Sequence, residues 1–269
     1  MPELPEVETV ANSVKKHIIN ESFDSMTVLW FKTLHNFSTA DFEKKIKGKN
    51  VINVFRRAKY IIIQFEKNLM AIHLRMTGKL YVVDNFDRNK KHISLYLQFN
   101  EKYLIYEDTR KFGRFYIYEN MDILNDKLGI EPLSDIFSKK WLIKNMKLKK
   151  RQIKSLLFDQ SFICGLGNIY IDESLWRAKI HPLALSDKIS KTKVIDLHSS
   201  IVKVLSDSIK LGGSTIRDYT YDFAYVGNYA LNLKVFGKDG QKCPRCDYII
   251  SKTKVAQRGT HYCKKCQRK

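Results

Sequence analysis

Residues 51–83 read VINVFRRAKYIIIQFEKNLMAIHLRMTGKLYVV, and how this stretch divides decides the architecture. Four apolar runs stand out: Val51–Phe55, Tyr60–Phe65, Met70–Leu74 and Leu80–Val83. Each is too short for an ordinary helix, is rich in branched or aromatic side chains, and is bounded by polar residues. Further out, Met26–Trp30 upstream and His92–Phe99 and Phe115–Tyr118 downstream have the same texture. Strands this numerous, with no helical period between them, predict an antiparallel β-sandwich or barrel. Before them, Leu4, Val7, Val10, Ala11, Val14 and Ile18 recur at three- and four-residue spacing, which predicts an amphipathic leading helix. After about Leu124 the pattern turns helical: Val194, Leu197, Ile201, Leu205 and Ile209 mark a helix ending near Gly212-Gly213. The chain reads as an α+β multidomain protein. Its parts are an N-terminal antiparallel β-sandwich with a leading helix over residues 1–130, a helical domain over 131–230 and a small module over 231–269.

That module holds four of the five cysteines, as Cys243-Pro244-Arg245-Cys246 and Cys263-Lys264-Lys265-Cys266 with sixteen residues between the pairs. Two such knuckles bring four thiolates to one tetrahedral ion, the pattern of a C-terminal four-cysteine zinc ribbon holding one structural Zn2+. Disulfides are the alternative, favoured in exported proteins. The acidic opening Met1–Glu6 lacks the basic segment and apolar run of a secretory signal. About thirty residues cannot bury a core, so metal binding supplies much of the folding energy of such a module. Gln257-Arg258-Gly259-Thr260 reads as the turn before its returning arm, with Arg258 placed to meet phosphate. Cys164 lies in an apolar stretch, as a buried spectator would.

Charge narrows the partner. Forty-eight Lys and Arg against 28 Asp and Glu give a formal +20. Residues 139–154 carry eight cations and no acid, and residues 241–269 carry nine cations against Asp247 alone. A lysine-rich composition throughout a proteome is one source of such an excess. The first forty residues, however, are net acidic, and the clustering favours a polyanionic partner. No stretch approaches 18 consecutive apolar residues, which excludes a membrane-spanning helix. Gly165-Leu166-Gly167 is not a dinucleotide fingerprint, because Tyr170 stands where the third glycine is needed and no βαβ unit surrounds it.

Six segments in order along the chain resemble the formamidopyrimidine-DNA glycosylase family, whose other branch includes endonuclease VIII. They are Met1-Pro2-Glu3-Leu4-Pro5-Glu6-Val7-Glu8, His73-Leu74-Arg75-Met76-Thr77-Gly78, Asp108-Thr109-Arg110-Lys111-Phe112-Gly113, Gly167-Asn168-Ile169-Tyr170, Gly212-Gly213-Ser214-Thr215, and the ribbon with Gln257-Arg258-Gly259-Thr260. The opening is similar to the formamidopyrimidine branch. The resemblance implies a bifunctional glycosylase and abasic-site lyase that removes oxidised purines from double-stranded DNA. It implies a helix-two-turn-helix arrangement in the central domain, and a monomer in the cytoplasm associated with the nucleoid.

The resemblance also implies roles for individual residues. Pro2, freed by removal of Met1, is the nucleophile that attacks C1′. An α-amine with pKa near ~8 is neutral far more often at pH 7 than a lysine near ~10.4. Glu3 is the general acid/base, and also a carboxylate that a helix N-terminus favours. Lys59 contacts the lesion nucleotide and assists β-elimination, while Arg258 grips phosphate and assists δ-elimination. Met76, Arg110 and Phe112 fill the void left by the extruded base. His92, Lys149, Lys154 and Asn168 meet phosphates. The segment from Thr215 to Tyr229 corresponds to the lesion-capping loop. Two positions depart from the family pattern: His92-Ile93-Ser94-Leu95 lacks an acidic-His step, and Thr109 stands where proline is usual. A zinc-ribbon binding protein without catalysis and a glycosylase preferring oxidised pyrimidines are the competing readings. The first predicts no strand cleavage of abasic DNA; the second predicts preference for thymine glycol over 8-oxoguanine.

Overall fold

The computed structural model describes residues 2–214 and 227–269, which fall into two compact units. The first runs to Asp126 and takes in Gly212–Ser214 and Gly227; the second comprises Lys127–Leu211 and Asn228–Lys269.

In the first unit, helix α1 (Leu4–Ile18) precedes β1 (Ser25–Val28), α2 (Thr39–Lys45), β2 (Asn53–Arg57), β3 (Tyr60–Gln64), β4 (Leu69–His73), β5 (Gly78–Val83), β6 (Ile93–Phe99), β7 (Lys102–Asp108), β8 (Arg114–Tyr118) and the short α3 (Asp122–Asn125). The strands form two antiparallel four-stranded sheets, ordered β1-β6-β7-β5 and β2-β3-β4-β8. The apolar positions of the opening stretch therefore become three consecutive strands of one sheet and an edge of the other. β4 is buried along its whole length, as its uninterrupted Leu69–Ile72 run requires for a strand between two neighbours. Helix α1 lies against β2, β3 and β5, and buries Leu4, Val7, Val10, Ala11, Val14 and Ile18, the stripe its spacing predicts. All of these but Leu4 join Ile61, Ile63, Met70, Ile72, Leu95, Leu97, Tyr106 and Phe115 in one core.

Strand β7 lies outside the predicted runs. Its sequence KYLIYED has charges at both ends, yet it pairs with both β5 and β6 in the middle of its sheet. Leu104 and Tyr106 face the main core, and Ile105 lies in a second cluster with Val83, Ile93 and Tyr96.

The second unit contains α4 (Lys139–Lys147), α5 (Ile153–Phe158), α6 (Asn168–Arg177) and α7 (Lys191–Lys210), then the hairpin of β9 (Ser251–Val255) and β10 (Arg258–Tyr262). Helix α4 lies within the basic cluster. Ser138 caps it by accepting the Trp141 N–H, and Leu142 and Met146 form its buried stripe, leaving the cations on the other face. Helix α7 is capped by Ser190 and stops before Gly212 and Gly213, both at positive φ. The Glu173 carboxylate on α6 accepts N–H bonds from Lys234, Val235 and Phe236 at 2.9–3.0 Å, fixing the approach to the cysteine module. Trp176, Val235, Cys243, Ile250 and Cys263 then pack as one small core, so the module rests on α6.

Candidate active site

Pro2 and Glu3 lie at the N-terminus of α1, both buried. Glu3 is the N-cap residue, and a capping box holds it. Its carboxylate accepts the Glu6 N–H, and Glu6 Oε2 accepts the Glu3 N–H at 2.9 Å. The other Glu6 oxygen accepts the Ser214 N–H at 2.7 Å and its hydroxyl at 3.2 Å. Gly213 is needed beside it, because a Cβ there would press on the Glu6 carboxylate and the backbone is left-handed, with φ +86°. Glu6 thus ties the start of α1 to the far end of the unit's chain.

Lys59 is buried in the tight turn between β2 and β3, where Ala58 adopts φ +53° and Arg57 pairs with Tyr60. Arg56 braces this turn: its Nε meets Glu8 Oε2 at 2.7 Å and another guanidinium N–H donates to the Ala58 carbonyl at 3.1 Å. Glu8 belongs to the first turns of α1, so the ion pair draws the Lys59 turn toward the helix end that carries Glu3. Across the sheet from Tyr60 stands His73, its ring edge-on to the Tyr60 ring at 4.7 Å. His73 Nδ1 accepts the Arg75 N–H at 3.0 Å. Burial, with the charges of Arg75 and Lys59, pushes its pKa down to about 3. Its imidazole is therefore neutral, with Nε2 carrying the proton.

His73 contributes a pH dependence to folding. The unfolded histidine takes up a proton below about 6.5 while the folded one resists until about 3, so stability falls as pH drops through that window. His73→Gln should flatten the decline measured by urea unfolding between pH 7 and pH 5. An unchanged decline would show that the imidazole does not contribute.

On neighbouring turns of the same unit stand Met76, Arg110 and Phe112. Met76 and Phe112 are 42% and 46% exposed. The Arg110 guanidinium lies 4.7 Å over the Phe112 ring and donates to Met76 Sδ at 3.0 Å. Thioether, guanidinium and ring thus form one projecting group. Lys111 between them adopts φ +58° with its ammonium 4.1 Å from the Trp30 ring. His92 is exposed just before β6, at φ +75°.

In the second unit, Asn168 opens α6 and Arg258 opens β10. The connection from β9 is two residues long, Ala256 and Gln257, with φ +50° and +61°, the signs of a type I′ hairpin turn. Arg258 is exposed, its guanidinium 5.3 Å over the Phe158 ring. The next carbonyl, of Gly259, accepts from Asn168 Nδ2 at 2.9 Å and from Lys154 Nζ at 3.3 Å. The sequence places Lys154 on the phosphate-facing surface. It is fully buried instead, paired with Asp172 Oδ1 at 2.6 Å, so its charge is neutralised within the unit. Asp172 Oδ2 also accepts the His261 N–H at 2.9 Å. Lys149 is exposed within the basic cluster, just past the end of α4.

The four cysteine sulfurs all lie within 4.8 Å of one another, with separations of 3.3–3.9 Å among the closest pairs. A tetrahedral ion with sulfur ligands at ~2.3 Å requires sulfur–sulfur edges of about 3.8 Å. Cys243, Cys246, Cys263 and Cys266 therefore fit one Zn2+, and the Trp176 indole N–H points to Cys243 Sγ at 3.4 Å. Cys164 is buried beside Glu131, away from this group. Of the lesion-capping segment, residues 215–226 lie outside the described residues.

Four buried residues of these sites, His73, Glu6, Asp108 and Asp172, have no role assigned from the sequence. The first three stand inside the motifs given above, which is the available signal. Asp172 has none, because a lone carboxylate in a mixed helix is indistinguishable from a solvated one.

Three families of sequence profile match the chain: the formamidopyrimidine-DNA glycosylase N-terminal domain over residues 1–115, the formamidopyrimidine-DNA glycosylase H2TH domain over 128–220, and the zinc finger found in FPG and IleRS over 240–268. The formamidopyrimidine-DNA glycosylases of Lactobacillus acidophilus and Protochlamydia amoebophila are 39% and 40% identical, with 99% and 100% of both chains covered. Among solved structures, MutM in complex with DNA containing carbocyclic 8-oxo-G has a TM-score of 0.92 at 37% identity over the whole of both chains. The Lactococcus lactis Fpg complex with abasic-site DNA also reaches 0.92, at 37% identity over 99% of this chain and 100% of that one. A capped helix start carrying Pro2 and Glu3, the four-thiolate ribbon and full-length matches of this kind coincide in one protein: the chain belongs to the formamidopyrimidine-DNA glycosylase family.

Proposed function

We propose that this protein is a bifunctional glycosylase and abasic-site lyase of base-excision repair that removes 8-oxoguanine and formamidopyrimidines from double-stranded DNA. The observation that carries the reading is the N-terminus of α1, where Pro2 and a buried, backbone-capped Glu3 are held together in a unit that also presents the Met76–Arg110–Phe112 group. The relatives support the substrate class, since their solved complexes hold DNA with 8-oxo-G, Fapy-dG or an abasic site.

In this reading Met1 is removed and the Pro2 nitrogen attacks C1′ of the damaged nucleotide. The glycosidic bond breaks with protonation of the sugar ring oxygen or the leaving base by Glu3, leaving a Pro2 iminium on the opened sugar. Loss of the C2′ proton, assisted by Lys59, then expels the 3′ phosphate, and δ-elimination with Arg258 at the phosphate expels the 5′ one. The neutral His73, which accepts the Arg75 N–H, stands near the same lysine without adding charge. Lys149, His92 and Asn168 meet the DNA backbone, and Lys154 serves that surface by holding Gly259. The bound Zn2+ supplies no chemistry; it fixes the hairpin that carries Arg258. The three domains are those of residues 1–130, 131–230 and 231–269, and the protein works as a monomer in the cytoplasm, on the nucleoid. Among the described residues no helix is long and apolar enough to cross a membrane.

Borohydride should freeze the iminium, giving a covalent adduct of protein and 8-oxoguanine DNA, with Pro2 as the modified residue by peptide mass spectrometry. Pro2→Gly should trap much more weakly. Equal trapping by the variant, or none by either protein, overturns the mechanism.

A further inference from the structure

Asp108, at the end of β7, is wholly buried, yet it carries a carboxylate. Oδ1 accepts the Thr77 hydroxyl at 2.5 Å and the Arg110 N–H at 3.1 Å. Oδ2 accepts the Gly113 N–H at 2.8 Å and the Tyr106 hydroxyl at 3.2 Å. Thr77 Oγ1 shares the same Arg110 N–H at 3.1 Å. A carboxylate taken out of water is tolerated only with such partners, and the partners are fixed in return.

The donors are not scattered. Thr77 follows Met76, while the Arg110 and Gly113 N–H groups bracket Lys111 and Phe112. One carboxylate therefore bonds the turn that carries Met76 to the turn that carries Arg110 and Phe112. The Asp108 N–H also donates to the His92 carbonyl at 2.8 Å, which brings a fourth DNA-facing residue to the same anchor. The glycines ending the two motifs serve this arrangement. Gly78 pairs directly with Asp108, and a Cβ on either Gly78 or Gly113 would collide with the Tyr106 hydroxyl that completes the carboxylate's bonds. Thr109 lacks the φ restriction of a proline, so the rigidity of the turn comes from these bonds and from the Lys111–Trp30 contact.

We propose that Asp108 is a positioning residue that locks the two turns together, so that Met76, Arg110 and Phe112 form one preset wedge before DNA arrives. The proposal rests on the reading of those three side chains as void-filling residues. Turns that had to be ordered on binding would spend part of the interaction energy on their own entropy, and a preset wedge avoids that loss when the stack opens.

Asp108→Asn keeps the shape but aims an amide NH2 at two of the four donors, releasing one turn. The folding midpoint should stay within a few degrees of wild type. Excision of 8-oxoguanine from a duplex should fall at least tenfold in kcat, and 2-aminopurine placed beside the lesion should report weaker unstacking. Cleavage of a preformed abasic site in a single strand, where no stack needs filling, should stay within about twofold. Thr77→Val, which removes the hydroxyl's bonds to Asp108 and to the Arg110 N–H but no charge, should give the same pattern more mildly and carries the test if Asp108→Asn folds poorly. Met76→Ala separates the two readings. If it slows duplex excision while both Asp108→Asn and Thr77→Val do not, the lock is wrong and the wedge stands. If all three are normal, the wedge itself is wrong. A proportional loss on the single strand marks a general structural role and overturns the proposal.

Discussion

Glu3→Gln is expected to slow base excision by roughly 10²–10⁴-fold, the usual contribution of a positioned general acid. The fold should hardly change. The capping box needs only an acceptor at Glu3 for the Glu6 N–H, and a glutamine oxygen supplies one. The side chain is 3% exposed, so a change of size rather than of protonation would be the more disruptive substitution. A preformed abasic site has no base to expel, and its sugar opens without enzyme, so cleavage of abasic DNA should suffer less than excision. Single-turnover rates on the two substrates measure both effects. Equal losses on both would place Glu3 in a step the two substrates share, such as iminium formation, rather than in base expulsion, and no loss on either would remove it from the chemistry.

The second large effect concerns the ribbon. Cys246→Ser should release the metal and leave the β9–β10 hairpin without a fold of its own. Structural zinc contributes an apparent ~10–16 kcal/mol in finger-sized peptides, comparable with the ~5–15 kcal/mol that holds a whole domain. The few apolar side chains of the module, Ile250, Val255 and Tyr262 among them, cannot replace that. With the hairpin goes the placement of Arg258 and of the Gly259 carbonyl held by Asn168 and Lys154. The variant should contain no zinc by elemental analysis, keep most of its far-ultraviolet helical signal, and lose strand cleavage of lesion DNA by two orders of magnitude or more. Undiminished cleavage by metal-free protein would contradict the assignment of Arg258.

The parts of this architecture that are legible in the sequence are those whose local pattern and burial agree. The α1 stripe, the runs that become β3 and β4, the Ser190-capped α7 and the cysteine knuckles each have one signal and one structural answer. β7 escapes because Lys102 and Asp108 place charge where a central strand is expected to be apolar. Asp108 is satisfied by Tyr106, Arg110 and Gly113 from its own neighbourhood and by Thr77 from thirty-one residues away, and a local window shows neither that last partner nor the fold that turns the others inward. Lys154 shows the converse. A lysine in a run of eight cations reads as solvated surface, and only the partner eighteen residues later, Asp172, reveals it as interior. His73 stands inside a quoted motif, but its neutrality depends first on its burial and then on Arg75 and Lys59 meeting it in space.

The contacts between α6 and β10 have a metric consequence. Asn168 and Asp172 are one helical turn apart, and they bond the Gly259 carbonyl and the His261 N–H, two residues apart on a strand. Four helical residues advance roughly 6.0 Å and two strand residues roughly 6.7 Å, so the two periodicities coincide for this single interval. Inserting one residue between the paired positions of either element would rotate a helical side chain by about 100° or turn a strand residue to the opposite face. Both grips would then fail together. The reach of the Arg258 fingertip is thus gauged by a ruler of one helical turn, and length changes in α6 should be tolerated only outside it.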